Sequence, residues 1–420
     1  MERIAIIGGG PAGSMAAETL ARGGVRVTVF EEKGAWEKPC GGGLPPRALA
    51  RYPFLLDAVQ EHKRLEDVEM VAATGASVRF HLRRPLAVYA RANLNQLLLG
   101  RAADAGAEVA SDRILNFRRE GSGWRLEGRE TSYDADYLVL AAGARSRLRG
   151  LLAPHFAARD FMLTFGYYAP GASDLLRVQF FEDFEGYAWA FPRPDHLSLG
   201  ICGKVGDSDM HGLQARLHEF IRQHGYGEES MRAPVFSHLL PALSTESWYN
   251  LRLAGPGWAL AGDAAGLVDP VTGEGIYFAM RSGELLADAL LEGAPDSYPE
   301  RVWRDFGKML ALGARMGRFF YRDYFCGAHP STALIEFSMR SRSFKELFED
   351  LIEGSQSYPG LATRMYRTLA VSLGELVLGA LSREWSAISG RREGVRKPRS
   401  QDREVRRNGR LQGRTRQYAQ

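Results

Sequence analysis

The apolar positions of this chain follow two patterns. Ile4 to Ile7 form an unbroken apolar run, as in a strand buried on both faces of a parallel sheet. "SMAAETLAR" from Ser14 is spaced for a helix, which Gly23 and Gly24 end. "VRVTVFE" then reads as a second strand, closing on Glu31. Buried runs return in "DADYLVL" and "WALAGDAA", and "YFAMRSGELLADALL" after them is helical. Between Phe161 and Gly203 the pattern alternates instead. "LLRVQFF", "YAWAFP" and "HLSLGIC" are short strands joined by the turns "EDFEG" and "RPD", an antiparallel meander. "VEMVAATGASVRFHL" (68–82) adds a hairpin to that meander, while "EVASDRILNF" and "GWRLEGRETSYDADYLVL" add an edge hairpin to the parallel part. After Pro295 the apolar spacing is helical to about Ser389.

The glycines around the first strand turn this pattern into chemistry. Gly8-x-Gly10-x-x-Gly13, with Pro11 and Ala12 inside it, lies between a strand and a helix, and Glu31 follows Gly13 by 18 residues. In that context Gly8 permits the tight turn, Gly10 lets a pyrophosphate approach the backbone, and Gly13 lets helix and strand pack closely. The helix N-terminus presents free N–H groups to phosphate. Glu31 suits a ribose diol and disfavours a 2′-phosphate, so the site fits FAD or NAD. About 250 residues after Gly8, a strand runs into Gly262-Asp263, followed by Pro270-x-x-Gly273-x-Gly275 and a helix opening at Ile276. Paired with the first motif, this selects FAD: in flavoproteins of the glutathione-reductase type the Asp meets the ribityl chain and the glycine turn lies against the ring. Asp263 as a plain helix N-cap is the alternative. Arg91 ahead of a helix and Gly143 in "AAGARSRLR" are further cofactor candidates. No second GxGxxG accompanies them, so the electron donor, NAD(P)H (such as NADPH) or another donor, stays open.

Composition narrows the field further. The chain has 420 residues, 45% apolar and 25% charged, with three widely separated cysteines. These cysteines have no metal-ligand spacing, and the histidines lack companions, so no metal site is expected. An apolar strand starting at Arg3 leaves no room for a signal sequence, and the low cysteine count fits a reducing compartment, hence a cytoplasmic location. The net charge of +4 hides an asymmetry: residues 391–420 hold eleven Lys/Arg and three Asp/Glu, so that tail is +8 and the remainder −4. The tail is expected to be disordered, either plainly solvated or touching an anionic surface, which allows peripheral membrane contact. No basic patch with interleaved aromatics argues for nucleic acid. Oligomeric state is not legible.

The stretches "GGGPAGSMAAETLA", "KPCGGGLPPRAL", "YAWAFPRPDHLSLGI" and "GDAAGLVDPVTGEGIYFAMRSGELLA" together resemble the geranylgeranyl reductase family of FAD-dependent oxidoreductases, which share the fold of the aromatic hydroxylases. The resemblance covers roughly the first 290 residues. Three positions depart from related patterns: Leu94 and Asn95 stand where a Phe and an Asp are usual after Arg91, and Ala142 replaces the Asp that hydroxylases carry before Gly143.

The expected class is α/β plus antiparallel β. It comprises a Rossmann-type FAD-binding domain (1–66, 88–152 and 248–295), an inserted antiparallel-sheet substrate domain (67–87 and 153–247), a C-terminal helical segment (296–389) and the basic tail (390–420). The resemblance implies reduction of isolated C=C bonds in the prenyl chain of an isoprenoid lipid or diphosphate. It makes Cys40 the candidate proton donor, since a free thiol, with a pKa near about 8.5, is mostly protonated at neutral pH. Gly41 and Gly42, with Gly43, would let backbone N–H groups reach the flavin edge. Tyr187, Trp189 and Phe191 are two residues apart and share a strand face, so they read either as a sheet core or as the wall of a tunnel for an apolar chain. Arg83 and Arg84 are either surface arginines or a seat for an anionic head group. The alternatives to a reductase are an FAD-dependent monooxygenase of a hydrophobic substrate and a non-catalytic flavin- and lipid-binding protein.

Overall fold

The structure is a computed structural model that describes residues 2–324, 329–361, 363–365 and 367. Cys326, the end of the expected helical segment and the basic tail lie outside the described residues. In chain order the strands are β1 (Arg3–Ile7), β2 (Arg26–Phe30), β3 (Gly43–Leu44), β4 (His62–Val71), β5 (Ser77–Tyr89), β6 (Glu108–Ala110), β7 (Ile114–Glu120), β8 (Gly123–Gly128), β9 (Ser132–Ala135), β10 (Tyr137–Leu140), β11 (Phe161–Ala169), β12 (Leu175–Phe180), β13 (Gly186–Pro192), β14 (Leu197–Lys204), β15 (Val235–Pro241), β16 (Ala254–Gly255) and β17 (Trp258–Leu260).

The first sheet has the order β16-β17-β10-β1-β2-β6. All its neighbours run parallel except the β16–β17 hairpin. β1 and β10 sit at its centre, and their apolar runs are buried on both faces. Helix Pro11–Arg22 packs on it beside helix Ile276–Leu291. Small residues set how closely these two helices meet: a Cβ on Gly283 would stand 2.1 Å from the Ala12 carbonyl oxygen. That contact brings the segment from Gly262 to Gly275 up to the phosphate-type turn of β1, so two motifs far apart in sequence form one site.

The second sheet is larger, in the order β15-β11-β14-β13-β12-β4-β5-β3. Its pairs are antiparallel except β4 with β12, which run parallel. The hairpin seen in the sequence at 68–82 is longer than its alternation suggested, because β4 begins at His62 and β5 continues to Tyr89. Leu86, Ala87, Val88 and Tyr89 are all buried, so the far end of β5 lacks the period of a half-exposed strand. One face of this sheet is covered by helix Met210–Gln223 through Leu213, Leu217, Phe220 and Ile221. The other face, carrying Trp189 and Phe236, meets Tyr321 and Ile335 of the C-terminal helices Lys308–Arg322 and Pro330–Arg340. Helix Arg342–Glu353 is tied to β5 by charge: Arg83 pairs with Asp350 and Glu353, and Arg84 with Glu353. These two arginines are therefore engaged by carboxylates of the chain itself.

Within the stretch expected to add an edge hairpin, β7, β8 and β9 form their own three-stranded sheet, while β6 before them and β10 after them belong to the parallel one. The Trp124 indole N–H anchors that unit by donating to the Gly257 carbonyl at 2.7 Å.

Candidate active site

The phosphate-type turn follows directly from its glycines. Gly8 has φ 106°, and a Cβ there would lie 2.5 Å from the Ala141 carbonyl oxygen. A Cβ on Gly13 would lie 1.9 Å from the Gly8 carbonyl oxygen, so helix and turn touch backbone to backbone. Gly10, the N-cap of helix Pro11–Arg22, has nothing within 4 Å of its missing Cβ. Open space thus lies over the helix N-terminus, where the free N–H groups point. Glu31 at the end of β2 accepts N–H bonds from Gly9 at 3.0 Å and Lys33 at 3.1 Å, which hold its carboxylate beside the turn.

Arg91 is 4% exposed, a cost that needs a partner. Among the described residues its guanidinium meets only the Asn95 side-chain oxygen at 3.3 Å, and its Nε has no partner. A buried cation with an unused N–H among the described residues fits an anionic dinucleotide. Asn95 also donates to the Trp36 carbonyl at 3.1 Å, so the amide serves both sides.

Asp263 lies in a single 3-10 turn, Gly262–Ala265, and caps no helix. Its carboxylate takes the Lys38 ammonium at 2.7 Å, with both side chains mostly buried. Burial pushes the Asp263 carboxyl up, but the Lys38 charge outweighs it and the net shift is below the usual carboxylate range. His238 of β15 stands near this pair. Among the described residues its Nε2 is buried without a partner, and burial with the Lys38 charge pushes its pKa down to about 3, so the ring is neutral. The sign follows for both groups. A depressed Asp263 contributes stability that is present above the unfolded carboxylate pKa of about 3.9 and lost as pH falls through the lower folded value. A depressed His238 makes the unfolded state bind more protons between pH 3 and about 6.5, so stability rises with pH across that window and is lost on acidification. Acid titration followed by circular dichroism should show both losses, and the Lys38→Met variant should lose the lower one.

Pro270, Gly273 and Gly275 form the turn from Asp269 to the helix at Ile276. Gly273 has φ 70°, and its missing Cβ would be 2.5 Å from the Tyr187 hydroxyl. That hydroxyl donates to the Thr272 carbonyl at 2.6 Å. The first residue of the aromatic strand face thus touches the flavin-type turn, and Trp189 follows with ring centroids 5.9 Å apart. Trp189 lies over its cross-strand partner Gly200, whose missing Cβ would be 2.2 Å from the indole. Phe191 closes the row against the cysteine loop: Cβ atoms on Gly41 and Gly43 would stand 2.7 and 2.8 Å from its ring. Gly42, with φ 86°, avoids the Tyr89 carbonyl. The three glycines therefore have a packing reason beside the access their sequence suggested. β3 ties the loop to β5 through Gly43 and Val88, and the Gly42 N–H bonds the Cys40 sulfur at 3.3 Å. Cys40 is partly buried.

Gly143, at φ 77°, has open space around it. Arg149 behind it reaches Ala264 O at 3.0 Å, joining that loop to the Asp263 turn.

Several site residues carry no signal that the sequence reading used. Arg47 pairs with Glu274 inside the turn. Tyr358 donates to Asp269 at 2.8 Å, and the Tyr321 hydroxyl to the Val271 carbonyl at 2.5 Å, so the C-terminal segment clamps the turn from outside. Lys38 is the neighbour but one of Cys40. Cys202 lies under Tyr187, with its thiol pushed up to about 12 by burial, and is chemically quiet.

The pyridine nucleotide-disulphide oxidoreductase family model matches residues 2–160. A chloroplastic geranylgeranyl diphosphate reductase of Oryza sativa subsp. japonica is 29% identical over 324 residues, 70% of this chain and 67% of the relative. The geranylgeranyl diphosphate reductase of Rhodobacter capsulatus is also 29% identical, over 68% of this chain and 74% of its own. The chain is thus similar in sequence to several geranylgeranyl diphosphate reductases. It spans about two thirds of the length of the plant proteins. A menaquinone reductase of Mycolicibacterium smegmatis is 28% identical over 70% of this chain and 78% of that protein. Among solved structures, a geranylgeranyl bacteriochlorophyll reductase-like protein of Thermoplasma acidophilum superposes with a TM-score of 0.69 at 20% identity, covering 87% of this chain and 99% of that one. A flavin-dependent brominase has the same fold at a TM-score of 0.66 and 17% identity, over 84% and 93%. The protein is a flavin-dependent oxidoreductase by fold and relatives, and no described helix is long and apolar enough to cross a membrane.

Proposed function

We propose that this protein reduces isolated C=C bonds in a geranylgeranyl-type prenyl chain, with FAD held by the Gly8–Gly13 turn, Glu31, Arg91, Asp263 and the Pro270–Gly275 turn. The observation that carries the reading is a chain of contacts: the Cys40 loop meets Phe191 through Gly41 and Gly43, and Tyr187, at the other end of the aromatic row, touches the flavin-type turn at Thr272. A reduced flavin bound there supplies the hydride equivalent. The chain's own part is to hold the alkene and move a proton. The aromatic row presents a flat apolar surface to the prenyl chain and excludes water from it. The Cys40 thiol, fixed by the Gly42 N–H at its sulfur, donates a proton to the alkene carbon that does not receive hydride. An isolated alkene has no carbonyl to polarise, so orientation supplies much of the rate, up to about 7–11 kcal/mol in the best cases.

The head group follows from neither the fold nor the wall. Relatives named for a prenyl diphosphate and for menaquinone favour two candidates. The test supplies reduced protein with geranylgeranyl diphosphate and, separately, with menaquinone, and reads product masses. Two hydrogens gained per double bond in either chain supports the reading and names the head group. Unchanged prenyl chains in both rule it out. The monooxygenase reading is weakened by Ala142, which stands in place of the hydroxylase-type acid before Gly143, and by the Cys40–Gly43 loop.

A further inference from the structure

Arg193 is the first residue after β13, in the turn between β13 and β14, and its side chain is wholly buried. Its Nη2 donates to the Cys40 carbonyl at 2.5 Å. Its Nη1 pairs with Glu37. The Glu37 carboxylate in turn takes the Arg91 N–H at 3.1 Å and the Ala92 N–H at 2.8 Å, capping helix Arg91–Asp104. The same Cys40 carbonyl accepts a second bond, from the Ser198 hydroxyl at 3.2 Å, and Ser198 accepts the Trp189 indole N–H at 3.3 Å.

A buried arginine with a single carboxylate partner is costly to keep. A hydrophobic residue of similar volume would hold the β13–β14 turn without that cost, so the fork is selected for what it joins. It joins three parts that chemistry needs in register: the loop bearing the thiol, the strand bearing the aromatic row, and the helix N-terminus bearing the cofactor residue Arg91. We infer that Arg193 is a positioning residue that sets where the Cys40 thiol stands relative to the aromatic row, with Ser198 as its weaker second. The role of that thiol as acid rests on the function proposed above; the positioning does not.

The measurement is alkylation of Cys40 by iodoacetamide, followed by peptide mass mapping, with buried Cys202 as the internal control. It needs no substrate. Arg193→Met is expected to accelerate Cys40 labelling at least about tenfold while Cys202 stays protected. Arg193→Lys keeps a cation for Glu37 but loses the fork, and should give an intermediate rate with flavin retained. Ser198→Ala should give a smaller rise, about threefold. In turnover, Arg193→Lys should lower kcat by about tenfold with KM nearly unchanged, as for an interaction that acts on the reacting geometry. Labelling of Cys40 at the wild-type rate in Arg193→Lys and Ser198→Ala would overturn the inference, and should Arg193→Met fail to fold those two variants decide it. Reduction of prenyl chains failing in the wild type, with these labelling differences intact, would remove the proposed function and leave the positioning standing.

Discussion

Gly13→Val is expected to give a protein that cannot retain flavin and is destabilised by at least about 3 kcal/mol. The reason is geometric. The Cβ alone would overlap the Gly8 carbonyl oxygen at 1.9 Å, and that oxygen belongs to backbone that cannot swing aside. Overpacking in a pliable core costs about 1–3 kcal/mol, and this contact has no pliable partner. Relief requires helix Pro11–Arg22 to move away from β1, and the same helix is locked to Ile276–Leu291 through Gly283. Displacing it would pull the Asp263 and Gly275 turn out of register with the N–H groups at Gly10. Gel filtration with flavin absorbance, and thermal melting, measure the two effects. Gly10→Ala is the control: its Cβ meets open space, so the fold should survive while flavin affinity falls.

Cys40→Ala is expected to lower turnover by about 10²–10⁴-fold, the span over which a positioned general acid contributes. Flavin binding should be unchanged, because the loop is held by Arg193, Ser198 and the β3–β5 pairing, and none of these involves the thiol. Steady-state kinetics on the prenyl substrate reads this, with Cys40→Ser recovering part of the loss through its hydroxyl. A rate within a factor of about two of wild type would move the proton donor to another group and leave the reductase itself intact.

Much of this site was legible before the fold was known, and the reason is local. Glycine turns, the acid at the end of β2 and the Gly262-Asp263 step are each set by a few consecutive residues whose backbone demands are strong. The aromatic row was legible as a shared face because strand alternation puts Tyr187, Trp189 and Phe191 on one side. The sequence did not show that the row is anchored at both ends, by Thr272 through Tyr187 and by Gly41 and Gly43 against Phe191. Those contacts join residues 85 and about 150 positions apart. Lys38, Glu37 and Arg193 were missed for a related reason. A charged residue in a loop ordinarily faces water, and only the fold shows Arg193 buried between Cys40 and Glu37. That β7–β9 form a sheet of their own was not legible, because β-alternation specifies a hairpin without saying which sheet edge it meets. The parallel pairing of β4 with β12, inside a sheet that otherwise runs antiparallel, was invisible for the same reason.

The most direct test of the central claim is a single turnover without oxygen. The flavin-loaded protein is reduced with dithionite, mixed with geranylgeranyl diphosphate, and followed by flavin absorbance and product mass. The account predicts reoxidation of the flavin in step with the gain of two hydrogens at a prenyl double bond. Flavin that stays reduced until oxygen is admitted, with oxygen then found in the product, would contradict it.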